Sequence, residues 1–183
     1  PAPVDQTNLN ALYTQKAEQF IAEAPTDTPL FLYFAHNFPH VPLFASASEQ
    51  GRSKAGLYGD VVQGLDNTVG RIVTALKQRD KFDNTLIVIT SDNGPWWEGR
   101  GIGRGRKGET FEGGVHVPFV AHWPRQLNPA MSDELVMGSD LLPTLLEELR
   151  VVAPDDRKLD GRSISQTLRG GPSPHEALYF YGG

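Results

Sequence analysis

Asp92 and Asn93 stand side by side before Gly94, directly after the apolar run Leu86-Ile87-Val88-Ile89-Thr90. A β-branched run ending in an acid, an amide and a glycine reads as a buried strand that delivers two oxygen ligands at its C-terminal edge. Oxygen donors of this kind suit calcium or magnesium rather than zinc. Calcium takes roughly six to eight oxygens, so the rest of such a shell must come from elsewhere. The same residue types also begin ordinary turns, and that reading stays open. Farther along, Lys107 sits among Gly103, Arg104, Gly105, Arg106 and Gly108, ahead of Glu112-Gly113-Gly114. A loop offering cations and free backbone N–H groups suits a tetrahedral oxyanion. One end of the stretch therefore fits a hard cation and the other an anion.

The histidines are harder to read. His36 and His40 are spaced as on one turn of a helix, but Pro39 lies between them and no glutamate follows His36. That excludes the zinc-helix pattern, which needs both rings on one helical face. His40 is left as either a catalytic histidine or a structural hydrogen-bonder. His116, His122 and His175 show no partner pattern and read as structural or surface residues. Gly103 to Gly108 formally matches GxGxxG, with no strand leading into it and no helix opening from it, so a dinucleotide fingerprint is not supported. Arg100, Arg104, Arg106 and Lys107 also allow a solvated loop or a nucleic-acid contact. Against nucleic acid stand the net charge of −5 and the pairing of Trp96 with Trp97 apart from the basic residues. Those two indoles can stack on a ligand or pack the loop.

The elements that must position these groups follow from periodicity. Residues Pro1 to Gln6 read as an extended lead-in. Thr7 or Asn8 is placed to cap a helix with Leu9, Leu12, Tyr13, Ala17, Phe20 and Ile21 at helical spacing. Leu30 to Ala35 reads as a buried, continuous strand running into the proline-punctuated loop 36–42. Ser46 to Lys54 is polar and reads as mobile. The longest helix is expected over Leu57 to Arg79, with Val61, Val62, Leu65, Val69, Ile72, Val73 and Leu76 on one face. Phe82 to Asn84 turns the chain into the Leu86–Thr90 strand. Val115 to Trp123 reads as another strand, and Ser139 or Asp140 is placed to cap a helix through Leu149. Asp160-Gly161-Arg162 reads as a turn, and Ala177 to Tyr181 as a last strand. This alternation implies an α/β layered fold. In open α/β sheets, sites gather outside the strand C-termini, where 36–40 and 92–93 both fall.

At 183 residues, 39% hydrophobic and 21% charged, the chain suffices for one domain with a sizeable core. The absence of cysteine excludes disulfides, thiolate metal sites and a cysteine nucleophile within this segment. No apolar run is long enough to span a bilayer. A first residue of Pro1 and a last strand cut off at Gly183 suggest a piece of a longer protein.

Several segments fall in a familiar order. They are Pro29-Leu30-Phe31-Leu32-Tyr33 through His40-Val41-Pro42-Leu43, Gly56-Leu57-Tyr58-Gly59-Asp60, and Thr90-Ser91-Asp92-Asn93-Gly94. Lys107-Gly108-Glu109-Thr110-Phe111-Glu112-Gly113-Gly114, Val117-Pro118-Phe119, Asp140-Leu141-Leu142-Pro143-Thr144 and Leu159-Asp160-Gly161 follow. This ordered set resembles the C-terminal half of the formylglycine-dependent sulfatases, the arylsulfatase branch of the alkaline-phosphatase-like superfamily.

The resemblance implies an α/β fold, an alkaline-phosphatase-like mixed sheet flanked by helices, present as a partial domain. Residues 1–174 would be the C-terminal half of a catalytic domain, and 175–183 the start of a small C-terminal subdomain. It implies Asp92 and Asn93 as metal ligands, usually to Ca2+ with Mg2+ as the alternative, and Lys107 and His40 as contacts to a sulfate ester. The substrate would be a small-molecule or glycan sulfate ester, with no nucleic acid and no membrane span, in a periplasmic, secreted or lysosomal protein. The family's formylglycine arises from Cys or Ser in a C/S-x-P-x-R motif that does not occur here. Its paired N-terminal aspartates and its Gly-Lys-Trp-His-type segment are also missing, so they are expected upstream and the segment alone is expected to be inactive. His116 stands where arginine is common in the family. A phosphodiesterase or phosphonate monoester hydrolase on the same scaffold, and a non-catalytic homologue binding sulfated ligands, are the alternatives.

Overall fold

The computed structural model describes residues 5–96 and 103–181. Two compact units result, residues 1–83 and 84–183. In the first, Asp5 rather than Thr7 or Asn8 supplies the cap. Its carboxylate accepts the Thr7 amide at 3.0 Å and opens a 3-10 turn that runs into helix α1, Leu9–Glu23. Helix α2, Gly56–Gln78, lies against α1. The face turned inward carries Thr14, Ala17 and Ile21 on α1, and Val61, Gly64, Thr68 and Leu76 on α2. Val62, expected on that face, is exposed, as are Leu12 and Phe20. Arg71 and Glu18 form an ion pair across the helices at the surface.

Two expectations in this unit need correction. Leu30 to Ala35 pairs with no other strand among the described residues. Its burial alternates, with Phe31 and Tyr33 outward at 69% and 82% exposure. An unbroken apolar run needs a layer on each face, and here only Leu30, Leu32 and Phe34 are half-buried, with Phe31, Tyr33 and Ala35 exposed. Ser46 to Lys54, read as mobile, is tied down at both ends. Glu49 accepts from the Ser46 amide and hydroxyl, while the buried Asp60 accepts the Gly51 and Ser53 amides at 2.8 and 2.7 Å. Those two amides hold the Asp60 carboxyl below the usual carboxylate range. A core cluster joins the 38–45 segment to α2: Phe38, Ala45 and Val61, with Leu9, Leu43, Phe44 and Leu65 packed around them.

The second unit contains strand β1, Ile87–Thr90, paired antiparallel with β2, Phe119–His122, so that Thr90 faces Phe119 and Ile87 faces His122. The mixed sheet appears as this one antiparallel pair among the described residues. β1 is half-covered rather than buried, with Ile89 and Thr90 exposed. The strand expected from Val115 begins only at Phe119, because Glu112–Val115 closes a single helical turn, α3, with the Val115 and His116 amides bonded back to Phe111 and Glu112. Glycine pairs of this sort permit the tight turn that the valine-led β pattern concealed.

Helix α4, Leu141–Glu148, follows a 3-10 turn at Gly138–Asp140. Asp140 does not cap α4 through its side chain. Fully buried, it accepts the Met137 amide at 2.8 Å and the Arg162 amide at 2.9 Å, and both its oxygens lie 2.9 Å from Nε2 of His175. The Asp160-Gly161-Arg162 turn must pass so close that a Cβ on Gly161 would overlap the Ser139 carbonyl. His175 is thus structural, as expected. Ala177 to Tyr181, read as a strand, is paired with nothing among the described residues and leaves Tyr179 and Tyr181 outward. No described helix is long and apolar enough to cross a membrane.

Candidate functional site

In the second unit the site is assembled by backbone contacts between glycines. β1 ends at Thr90, and the chain turns through Asp92 and Asn93, where the Ser91 hydroxyl donates to the Asn93 carbonyl at 3.1 Å. Gly94 then donates to the Gly114 carbonyl at 2.8 Å. Gly113 donates to Arg104 O at 2.7 Å, and Lys107 N donates to Pro95 O at 2.9 Å. Each glycine is required sterically. A Cβ on Gly94 would overlap the Gly113 carbonyl, one on Gly113 the Gly105 carbonyl, and one on Gly114 the carbonyls of Glu109 and Arg106. Gly103, Gly105 and Gly108 take positive φ of 82°, 95° and 89°, so the formal GxGxxG is a series of turns and not a helix-opening cradle.

Asp92, Asn93 and Lys107 are thereby brought into one loop system. Asp92 is exposed, Asn93 and Lys107 are half-buried. Among the described residues the Asp92 carboxylate accepts from the Ser91 hydroxyl alone, at 3.4 Å, and the Lys107 ammonium has no ion pair. The neighbouring cations are placed differently: the Arg104 guanidinium stacks 3.9 Å from the Phe111 ring, and Arg106 reaches Glu109 at 3.7 Å and lies over Trp96. Trp96 therefore packs within the loop while remaining 40% exposed. Trp97 and Arg100 lie outside the described residues. His116, just after α3, donates from Nδ1 to the Glu112 carboxylate at 2.8 Å on the surface.

The donor set is of the right chemistry for a hard cation, carboxylate plus amide oxygen at a strand end, but too small to complete a shell. Among the described residues no group of three or more His, Cys, Asp or Glu side chains is gathered to complete it. Asp92 and Asn93 fit as part of a site.

His40 belongs to the first unit. Its ring donates from Nδ1 to the Val41 carbonyl at 2.7 Å, since a carbonyl can only accept. The proton of the neutral ring is therefore on Nδ1, and Nε2 presents a lone pair. His36 takes the opposite arrangement. It is held between Asn10 and the Phe38 amide at 3.0 Å each, and neither His36 nor His40 lies on a helix. Burial lowers the His36 pKa and favours its neutral form. This network was not legible in the sequence, because its members come from α1, α2 and the loop.

Replacing Gly94 with alanine tests the glycine lock. The forced overlap with Gly113 is expected to cost about 1–3 kcal/mol in a urea melt. A wild-type midpoint would show that the Gly94–Gly114 contact does not hold the loop.

Residues 4–151 match the sulfatase family model. Human arylsulfatase A is 38% identical over 94% of this chain, which spans 36% of that protein. A crystal structure of a sulfatase from Pseudoalteromonas sp. superposes with a TM-score of 0.89 and 27% identity, over 96% of this chain and 37% of that one. A phosphonate monoester hydrolase from Silicibacter pomeroyi shares the fold, with a TM-score of 0.69 at 21% identity over 91% of this chain and 42% of that one. The chain thus spans about a third of the length of the curated relatives it matches, and its fold is the alkaline-phosphatase-like fold of these enzymes, present in part. With Asp92-Asn93-Gly94 and the Lys107 to Gly114 segment both inside the matched region, the chain belongs to the sulfatase family.

Proposed function

We propose that the whole protein hydrolyses a sulfate monoester. The observation that supports this reading is the loop system in which Gly94, Gly113 and Gly114 hold the backbone that carries Asp92, Asn93 and Lys107, with Asp92 exposed and Asn93 and Lys107 half-buried. Hydrolysis of a sulfate monoester breaks the bond to the leaving oxygen, on which negative charge grows. Fixed positive charge and hydrogen-bond donors that meet this charge without rearranging lower the barrier. Lys107 is assigned to a sulfate oxygen and the leaving-group side. His40 is assigned to the departing oxygen. Because its Nδ1 proton is committed to Val41, it must take a second proton on Nε2 to donate there.

Asp92 and Asn93 would hold part of the shell of a calcium ion, or magnesium. Such an ion supplies positive charge beside the ester. The nucleophile, a formylglycine, and the remaining acidic ligands are assigned to parts of the protein outside this segment. A periplasmic, secreted or lysosomal setting follows from the same family reading. The substrate class extends to sulfated glycans as well as small aryl sulfates.

Replacing Lys107 with alanine in the whole protein is expected to lower kcat on an aryl sulfate by about a hundredfold with an unchanged melting temperature. A fall in melting temperature that accounts for all lost activity would make Lys107 structural. The fold shared with a phosphonate monoester hydrolase supports one second reading, phosphoryl or phosphonyl ester cleavage on the same scaffold. Comparing kcat/KM on paired sulfate, phosphate diester and phosphonate substrates separates them. No turnover of any of the three, with retained binding of sulfated ligands, would point to a non-catalytic homologue.

A further inference from the structure

We propose that His36 is a positioning residue: its ring, protonated on Nε2 and clasped between Asn10 and the Phe38 amide, sets the loop that carries His40. The proposal rests on the sulfatase reading for the role of His40.

The tautomer follows from its neighbours. The Asn10 amide nitrogen donates to Glu49 Oε1 at 3.2 Å, and a carboxylate only accepts, so the Asn10 oxygen must face the other way. That oxygen receives the Thr68 hydroxyl at 2.9 Å and lies 3.0 Å from His36 Nε2. His36 must therefore donate from Nε2. Its Nδ1 is then an acceptor, and the Phe38 amide donates to it at 3.0 Å. The two assignments are independent and agree. Thr68 is itself 2.8 Å from the buried Thr14, so the ring is anchored on both α1 and α2. Tyr13, Phe34 and Phe38 surround it edge-on or tilted, with centroids 5.4 to 5.6 Å away.

The clasp is transmitted over a short distance. The amide that His36 holds belongs to Phe38, whose side chain is 6% exposed in the core with Ala45 and Val61. Asn37, between the clasped residues, accepts the His40 amide at 3.2 Å. His40 then closes on Val41 through Nδ1. The loop backbone is thus held from His36 to Val41, with the His40 ring at its exposed end. Protonation of His36 on Nδ1 would remove the acceptor for the Phe38 amide, and burial opposes that protonation. Misplacing a catalytic group by about 1 Å costs about a hundredfold in rate, so a loop of this kind needs such an anchor.

The variants separate the two halves of the clasp. In His36→Asn, the side-chain oxygen can replace Nδ1 as acceptor for Phe38. His36→Gln keeps a donor at the reach of Nε2 toward Asn10 but loses that acceptor, and His36→Phe keeps only the ring. In the whole protein, His36→Gln and His36→Phe are expected to lose about tenfold or more in kcat, with KM little changed, and His36→Asn to recover most of it. Wild-type kcat in His36→Phe, or equal losses in all three that follow melting temperature, would overturn the proposal.

A second readout does not depend on turnover. Long-range 1H–15N spectra of 15N-histidine-labelled protein should show His36 protonated on Nε2 and His40 on Nδ1, with the His40 pattern lost in His36→Phe. An Nδ1 proton on His36, or an unaltered His40 pattern in His36→Phe, would refute it. If His40→Ala retained full turnover while the His40 pattern still collapsed in His36→Phe, the catalytic reading of His40 would fail and the positioning would stand.

Discussion

Asp92→Ala in the whole protein is expected to abolish dependence on added calcium and to lower kcat on a sulfate monoester by about a hundredfold or more. The carboxylate is exposed at the end of β1, with no partner among the described residues stronger than a 3.4 Å contact to Ser91. Removing it leaves no buried unpaired donor, so the fold should lose little. The loop's position is set by the Gly94 amide and not by Asp92. The measurement is turnover against free calcium after chelation, beside bound-calcium stoichiometry and a melting curve. Asp92→Asn should fall between the two, keeping an oxygen while losing the charge. Substantial activity that still titrates with calcium in Asp92→Ala would end the assignment of Asp92 as a ligand.

The largest effect on stability is expected at Asp140. Its carboxylate is fully buried and gathers the Met137 amide, the Arg162 amide and the His175 ring, three groups far apart in sequence. Asp140→Ala leaves all of them without that acceptor. Breaking a buried pair by deleting one partner costs about 3–5 kcal/mol, and the whole protein should show it as a lower urea midpoint. Asp140→Asn cannot serve the same partners, because one of its two terminal atoms becomes a donor. It should recover only a part. His175→Phe should cost less than Asp140→Ala, since it leaves the two amide contacts intact. An unchanged midpoint in Asp140→Ala would mean that this knot does not form.

These predictions divide along the line between what local sequence carries and what it does not. The helices over Leu9–Glu23 and Gly56–Gln78 follow from apolar periodicity, and the Phe82–Asn84 turn and the β1 run from residue type. Each is a property of neighbouring residues. The cation chemistry of Asp92-Asn93 is likewise a property of the side chains themselves, as is the exclusion of a zinc helix by Pro39. The close approaches that require glycine at 94, 113 and 114 came from the tertiary structure.

The chain's linear order, by itself, determined the family, the main helices and the residue types available for chemistry. Only the tertiary structure decided which of those residues were already committed. His36 and His40 look alike in sequence, yet one is clasped by Asn10, on α1, and the other closes on its neighbour Val41. Asp140 looked like a helix cap and is a hub for Arg162 and His175. Leu30 to Ala35 looked buried and has one side outward. The physical reason is the same in each case. A hydrogen bond or a covering layer is contributed by a partner distant in sequence, and local periodicity contains no information about that partner.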